Sequence, residues 1–235
     1  MTDRKLLAVD TSGPVCGVAV LEGERVLCEY TVLNRNTHSV NLMPMIEEAL
    51  RSAGRELAEM DALAVVAGPG SFTGVRIGVA TVKGLAHGSG KKCIAVNALE
   101  ALSRGVGCFD GAVCPIQDAR AGQVYGAAFV RGERILPDRP VKLEEFLDDV
   151  RSAVPGMRLL FTGDGVPVHR ARIREMLGEE AVFAPPALCW LRPSVAGLLA
   201  LEKGQETDWS GLREIYLRPP HAEKNQKLLE AMRNE

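Results

Sequence analysis

The stretch Gly68-Pro-Gly-Ser-Phe-Thr-Gly-Val-Arg-Ile-Gly78 decides how the first half of this chain folds. It follows the apolar residues 63–66 and precedes apolar residues at helical spacing, so we expect a strand, a tight turn and a helix. The glycines permit backbone conformations that other residues avoid, and Pro69 favours a turn. The side chain of Ser71 or Thr73 can cap the helix.

The same turn leaves a helix N-terminus open, where N–H groups and the helix dipole favour an anion. Neither glycine-rich phosphate motif fits, because no Gly-Lys-Ser/Thr follows and the third glycine lies one residue late for the dinucleotide motif. Two interpretations therefore stay open. One is a nucleotide or anion contact through Gly70, Ser71 and Thr73, and the other is a plain strand-to-helix turn.

The composition is typical of a globular protein and excludes several classes. Of the 235 residues, 46% are hydrophobic and 25% are charged, and the net charge is −2. The chain lacks the excess of basic residues that most nucleic-acid-binding proteins have, so we expect another subunit to hold any RNA. A polar N-terminus and the absence of a long apolar stretch predict no signal peptide and no membrane association, which favours the cytoplasm. The six scattered cysteines predict reduced thiols.

Strands and helices alternate along the chain as in a mixed α/β protein. Strands are predicted at 6–10, 15–21, 25–32, 62–67, 92–96 and 158–162, and helices at 39–53, 72–87, 143–150, 168–177 and 193–203. Residues 126–136 align with residues 17–27 at six identical positions of eleven. Upstream of these segments, Asp118 and Asp10 each end an apolar strand. The repeat predicts a duplicated unit, with lobes at 1–104 and 105–218 and a charged tail at 219–235.

A duplicated strand–hairpin unit with Asp at the end of its first strand resembles the superfamily of actin, sugar kinases and chaperone ATPases. Within it, the chain is similar to the TsaB (YeaZ) family. The matching segments are 6–12, 37–38 with 42–46, 68–78, 118–120 with 124–125, and 215–218. Gln123 occupies a position at which the family often has an acidic residue. The resemblance implies an α/β, duplicated RNase H-like (actin-like ATPase) fold, whose two lobes contain mixed sheets flanked by helices.

The resemblance also implies a function without catalysis. TsaB proteins take part in bacterial tRNA threonylcarbamoyladenosine synthesis as accessory subunits. They pair with a catalytic paralogue, TsaD, which modifies the adenosine beside the anticodon of tRNAs reading codons that begin with A. The ATPase TsaE joins this complex, so tRNA is expected to meet the chain only indirectly. Without the partner, TsaB proteins self-associate, which implies a homodimer.

The histidines of this chain do not form a metal-binding pair. The catalytic paralogue holds a metal with two histidines one helical turn apart, which places both imidazoles on one helix face. Here His38 begins the corresponding helix, but Leu42 occupies the position four residues later. His87, His169 and His221 are isolated in sequence. We therefore expect no metal site, and metallopeptidase activity is the least favoured alternative.

Two aspartates keep an enzymatic alternative open. Asp10 and Asp118 could face one cleft and hold Mg²⁺ and a nucleotide through water, with Thr11 and Arg120 beside them. Either aspartate could instead cap a turn. The alternative function is therefore an independent ATPase of the actin-like class. We expect no cofactor in the chain itself, although ATP or ADP with Mg²⁺ shared at a subunit junction stays open.

The first two predicted helices indicate a protein interface. Helix 72–87 carries one apolar stripe for its own sheet, and a second stripe of small residues on the opposite side. Small residues let another helix approach closely, and methionines in the first helix suit adaptable contacts. The predicted interface residues are His38, Val40, Met43, Ile77, Ala80, Thr81 and Gly84. The alternative is that the second half of the chain covers this stripe.

Overall fold

The computed structural model describes residues 3–34 and 37–218, so the predicted tail at 219–235 lies outside the described residues. The strands are β1 Lys5–Asp10, β2 Cys16–Glu22, β3 Arg25–Val32, β4 Ala62–Gly68, β5 Lys92–Asn97, β6 Ala112–Asp118, β7 Gln123–Val130, β8 Glu133–Lys142, β9 Leu159–Thr162, β10 Ala181–Phe183 and β11 Glu206–Thr207. The helices are α1 His38–Ser52, α2 Phe72–Ser89, α3 Ala98–Arg104, α4 Leu143–Ala153, α5 Gly165–Leu177 and α6 Pro193–Lys203.

The first sheet is mixed and is covered on both faces. Its order is β11-β5-β4-β1-β2-β3, in which β1, β2 and β3 form an antiparallel meander and β4 and β5 run parallel to β1. Leu7 and Val9 of β1 pack with α1 and α2, whereas Leu6 and Ala8 pack with α6. A strand that is buried on both faces is apolar throughout, which explains the unbroken apolar run in β1.

The second sheet repeats the arrangement of the first. Its order is β10-β9-β6-β7-β8, with β6, β7 and β8 as an antiparallel meander and β9 parallel to β6. The repeated segments 17–27 and 126–136 form the equivalent hairpins β2–β3 and β7–β8. The predicted duplication is therefore confirmed at the level of topology.

The observed elements differ from the predicted ones in a few places. Helix α3 is absent from the prediction, because its seven residues are too few to establish a helical period beside a glycine-rich passage. Helix α5 begins at Gly165, three residues before the predicted start, because Pro167 is tolerated in a first helical turn. Strands β10 and β11 have three and two residues, which are too few to show alternation.

The two lobes share a hydrophobic core. Ala127 and Phe129 of β7 pack into the same buried cluster as Leu6 of β1 and Leu99 of α3. Helix α6 packs on the first sheet although it follows the second in sequence. The lobe boundary at residue 104 stays a prediction, since the shared core joins both sides of it.

Two sequence-based expectations concern the chain as a whole. No helix within residues 3–34 and 37–218 is long and apolar enough to cross a membrane. The cysteines are all free: four are buried, Cys28 is half-buried and Cys108 is exposed.

Candidate functional site

Three aspartates meet at the cleft between the lobes. Asp10 ends β1, Asp118 ends β6 and Asp164 follows β9. The ends of parallel strands in such sheets leave a crevice. Asp164 feels the charge of Asp118, from its own lobe, and that of Asp10, from the other lobe. Asp10 and Asp164 line this cleft, Asp118 lies next to Asp164, and a joint role of Asp10 and Asp118 in binding stays a prediction.

The carboxylate of Asp10 is buried and held by its own loop. Its Oδ1 accepts hydrogen bonds from the N–H of Ser12 at 2.8 Å and from the Ser12 hydroxyl at 2.7 Å. Burial raises the pKa of Asp10 to about 6, while the bonds from Ser12 and the nearby His38 lower it. Asp10 therefore caps its own turn, which was one of the two predicted alternatives. A role of Asp10 in ligand binding stays a prediction.

Three further residues complete the cleft, and the sequence analysis missed them. Burial and the charges of Asp118 and Asp10 raise the pKa of Asp164 to about 7, although an N–H of Asp118 lowers it. Oδ1 of Asp164 and Oε1 of the buried Gln117 have no hydrogen-bond partner in the described part of the chain. His169 places Nε2 at 3.5 Å from Oδ1 of Asp118. Asp164 follows an apolar strand as Asp10 does, and this was the available signal.

The cleft is too small for a nucleotide. Its volume is about 10 Å³, which is room for about one water molecule. Gln117 and Asp164 line it together with Trp190 and Leu191. Small-molecule sites usually measure several hundred Å³. This cavity is smaller than a nucleotide with Mg²⁺, whose binding at the aspartates stays a prediction. The residues that the structure describes contain no group of three His, Cys, Asp or Glu suited to a metal.

The glycine turn packs tightly against the loop after β1. Ser71 caps α2, because its Oγ accepts a hydrogen bond from the N–H of Gly74 at 3.3 Å. The Thr11 hydroxyl donates to the carbonyl of Gly74 at 2.7 Å, and the N–H of Ser71 donates to the carbonyl of Ser12 at 2.7 Å. A Cβ at Gly74 would collide with the carbonyl of Thr11, so glycine is required there. This close approach accounts for the turn without a ligand.

The residues predicted to contact a nucleotide or anion are only partly brought together. Thr11, Gly70 and Ser71 lie side by side through these contacts, and Thr73 is exposed in the first turn of α2. Arg120 is exposed on the other lobe, in the loop between β6 and β7, and its N–H donates to Oδ1 of Asp118. Their role in binding stays a prediction.

His38 links α1 to the cleft. It is the first residue of α1, and its Nε2 lies 2.9 Å from the carbonyl oxygen of Gly13, a residue that lines the cleft. Leu42, one turn later, is buried in the core and faces the sheet. The position of His38 fits the predicted helix-start role, and its role at an interface stays a prediction.

A second candidate site is the outer side of α1 and α2, here called the two-helix face. The inner stripe of α2 is buried, as predicted, through Val75, Val79, Val82 and Ala86. On the outer side Ala80 and Gly84 are exposed, and Ile77 and Thr81 are half-buried. Val40 and Met43 of α1 are also exposed. The two-helix face consists of Val40, Met43, Ile77, Ala80, Thr81 and Gly84, and no described segment of the second half seals it.

Known proteins resemble this chain in sequence and structure. The family model "TsaD: tRNA N6-adenosine threonylcarbamoyltransferase" matches residues 32–201. The tRNA threonylcarbamoyladenosine biosynthesis protein TsaB of Bacillus subtilis is 35% identical over 222 residues, which cover 93% of this chain and 96% of that protein. YeaZ from Pseudomonas aeruginosa has a similar structure, with a TM-score of 0.74 and 28% identity over 91% of this chain and 100% of that one.

A more distant neighbour shows the fold alone. Component A of the (R)-2-hydroxyglutaryl-CoA dehydratase of Acidaminococcus fermentans has a TM-score of 0.50 and 13% identity, over 85% of this chain and 98% of that chain. Together with the two similar sheets, these neighbours confirm the duplicated RNase H-like fold of the actin-like class.

Proposed function

The chain belongs to the TsaB (YeaZ) family, and on that premise we propose that it is the non-catalytic scaffold of a bacterial tRNA-modifying complex. It takes part in tRNA threonylcarbamoyladenosine biosynthesis, as its named relatives do. In this proposal it binds and activates a catalytic paralogue of the TsaD family, and an ATPase of the TsaE family joins them. The modified adenosine lies beside the anticodon of tRNAs that read codons beginning with A.

The observation that carries the proposal is the two-helix face. Ala80 and Gly84 leave a shallow groove on α2 into which another helix can pack closely. Met43 and Val40 add exposed apolar area on the neighbouring α1, and methionine adapts to different partners. A paralogue with the same fold would offer two equivalent helices. Four helices can then pack as a bundle across the contact.

The closed cleft supports a scaffold rather than an enzyme. Its volume of about 10 Å³ leaves no space for a substrate between Asp10 and Asp164. Leu42 occupies the place where a second metal-binding histidine would stand, and it is buried in the core. A nucleotide shared with a partner would have to lie outside this cleft, at the subunit junction near Ser71 and Thr73.

The same face supports self-association when the partner is absent. A two-fold dimer uses one surface patch twice, so the patch must be self-complementary. The small residues of the two-helix face meet this condition, since neither Ala80 nor Gly84 carries charge or bulk. We place the complex in the cytoplasm, where free thiols such as Cys108 stay reduced. The net charge of −2 supports leaving most of the tRNA affinity to the partners.

Reconstitution with the catalytic paralogue tests the proposal. The TsaD-family and TsaE-family proteins, threonylcarbamoyl-adenylate and tRNA are mixed with or without this chain, and modified adenosine is quantified after nuclease digestion. We expect product formation to depend on the chain. The Ile77→Glu variant should fail to restore it, because an unpaired charge in the contact costs several kcal/mol.

Val168→Glu is the matched control, since Val168 is equally apolar and more exposed but lies on α5. It should support product formation as well as the parent chain does. Product formation at the same rate without the chain would remove the scaffold role.

The alternative function is an independent actin-like ATPase, which the proximity of Asp10 and Asp118 to Asp164 favours. Its test is phosphate release from Mg–ATP by the purified chain. Release that Asp10→Asn abolishes would establish the alternative, whereas no release above the background of denatured protein would exclude it.

A further inference from the structure

One side of α2, next to the two-helix face, combines cations with aromatic rings. Phe72, Arg76, Lys83 and His87 fall within about 60° of each other around a helix of 3.6 residues per turn. Trp209 and Tyr216, from the segment that follows α6, lie against the two ends of this row. We call these six residues the aromatic–basic arc.

The N-terminal end of the arc is a preorganised cluster. The ring centroids of Phe72 and Tyr216 are 5.3 Å apart, and the Arg76 guanidinium lies 4.0 Å above the Phe72 ring. Arg76 Nε also donates a hydrogen bond to the Tyr216 hydroxyl at 2.9 Å. Phe72 is 37% exposed and Tyr216 39%, so both rings still offer surface to a ligand.

The C-terminal end of the arc repeats the combination of an aromatic ring with a nitrogen-bearing side chain. The His87 imidazole meets the Trp209 indole edge-on, with ring centroids 4.5 Å apart. Trp209 is 43% exposed. Residues 72 and 87 are separated by about 22 Å along the helix axis, and Lys83 lies between the two clusters. The arc is therefore long enough for several nucleotides of an extended strand.

The arc keeps its positive charge. Within residues 3–34 and 37–218, neither Arg76 nor Lys83 forms an ion pair with a carboxylate. Asp208, beside Trp209, is bound by Lys92 at 2.7 Å and is therefore neutralised. A local excess of cations thus exists on a chain whose net charge is −2.

We propose that the aromatic–basic arc binds a strand of RNA directly while the chain is part of its complex. Phosphates would lie against Arg76 and Lys83, and bases would stack on the exposed faces of Tyr216 and Trp209. The inference rests on the proposed function, because tRNA is the substrate of that complex. It differs from the expectation that tRNA meets this chain only indirectly.

The chemistry of the arc favours RNA over a protein helix. Helices pack through small and aliphatic ridges, and those lie on the two-helix face, around Ile77 and Ala80. The arc has no exposed aliphatic residue among its six members. Aromatic rings alternating with cations are instead typical of surfaces that stack bases and neutralise phosphates.

The test uses the assembled complex and a fluorescently labelled tRNA with an anticodon for codons beginning with A. Complex formation is first checked by gel filtration, and tRNA affinity is then measured by anisotropy between 50 and 300 mM salt. For the double variant Arg76→Ala and Lys83→Ala, we expect about 10- to 30-fold weaker binding at 100 mM salt. The slope of log K against log salt should become shallower by about 1.4, since two phosphate contacts are lost.

Trp209→Leu separates stacking from charge. It should weaken binding about fivefold or more and leave the salt slope unchanged. The matched control is Lys142→Ala with Arg151→Ala, which removes the same two charges from exposed positions at the ends of α4. This control should bind tRNA like the parent complex.

Two outcomes would overturn the inference. One is an intact complex in which the Arg76 and Lys83 double variant binds tRNA with unchanged affinity and salt slope. The other is a double variant that no longer forms the complex in gel filtration. That result would assign the arc to a contact between protein subunits. The scaffold proposal survives the first outcome, since it depends on Ile77→Glu and on product formation.

Discussion

At the scale of single residues, the closed cleft depends on carboxyl groups that retain protons. Asp10 and Asp164 come from different lobes, and burial raises the pKa of Asp10 to about 6 and that of Asp164 to about 7, from a usual value of 3.8. A protonated Asp164 can donate a hydrogen bond, directly or through one water, to the buried Oε1 of Gln117 that lacks a donor. The cleft is therefore most stable while Asp10 and Asp164 retain their protons.

Stability should consequently decrease as pH rises. The folded chain holds the proton of Asp10 up to about pH 6 and that of Asp164 up to about pH 7. The unfolded chain releases both near pH 4, so the folded state binds more protons between these values. The free energy of unfolding must then decline over that window. This contribution is fully present below about pH 4 and is lost as pH rises through 6 and 7.

Asp164→Asn removes the part of this dependence that Asp164 contributes and leaves the part due to Asp10. We expect the free energy of unfolding at pH 8 to increase by roughly 1 to 3 kcal/mol and to change little at pH 4, because the amide carries no charge to bury. Urea unfolding at both pH values measures this. Asp110→Asn, at an exposed carboxylate, is the control. An equal gain at both pH values would contradict the explanation.

At the scale of elements, helix α2 presents three different surfaces. Val75, Val79 and their neighbours pack on the first sheet, and the small residues Ala80 and Gly84 belong to the two-helix face. The side with Arg76 and Lys83 is basic. A helix with one buried stripe and two distinct exposed ones can contact two partners at once, which suits a subunit that holds others together.

Ala80→Arg tests the two-helix face as the site of self-association. An unpaired guanidinium at the contact should cost about 3 kcal/mol or more, which raises the dimer Kd more than about 100-fold. Sedimentation velocity over a concentration series measures the change. Ala171→Arg, at an exposed alanine of α5, should leave the Kd unchanged. A dimer unaffected by Ala80→Arg, in a variant with parental circular dichroism, would move the interface elsewhere.

At the scale of the whole molecule, the two lobes are joined by a shared hydrophobic core. Phe129 of β7 is buried in the cluster that contains Leu99 and the strands of the first sheet. Polar contacts add to this core, because Asn97 and Arg134 both bind Asp138 and Arg134 also lies 3.4 Å from Glu100. Separating the lobes would expose this core to water, so we expect the chain to behave as one rigid body.

Phe129→Ala should therefore destabilise both lobes together. We expect a loss of about 3 to 5 kcal/mol in the free energy of unfolding, with a single transition retained. Circular dichroism and the fluorescence of the tryptophans in urea should report the same midpoint. Ile135→Ala, at an exposed position of the same hairpin, should cost less than about 1 kcal/mol. Two separate transitions in the parent chain would contradict a shared core.

The sequence by itself determined the features that repeat at short range. Apolar alternation predicted most strands, the i, i+3, i+4 pattern predicted the buried stripe of α2, and the repeated hairpin predicted a second lobe like the first. The positions of Asp10 and Asp118 at the ends of the equivalent strands β1 and β6 followed from that duplication. These features depend on local backbone geometry and on which residues avoid water, and both are encoded in neighbouring positions.

Only the tertiary structure decided what lies between distant segments. Asp164, Gln117 and His169 join the cleft, and Trp209 and Tyr216 join α2, through contacts between residues far apart in sequence. Whether the outer side of α2 is covered depended on where α6 and the second sheet pack. No periodicity contains that information, because burial and pKa are set by the atoms that surround a group in space.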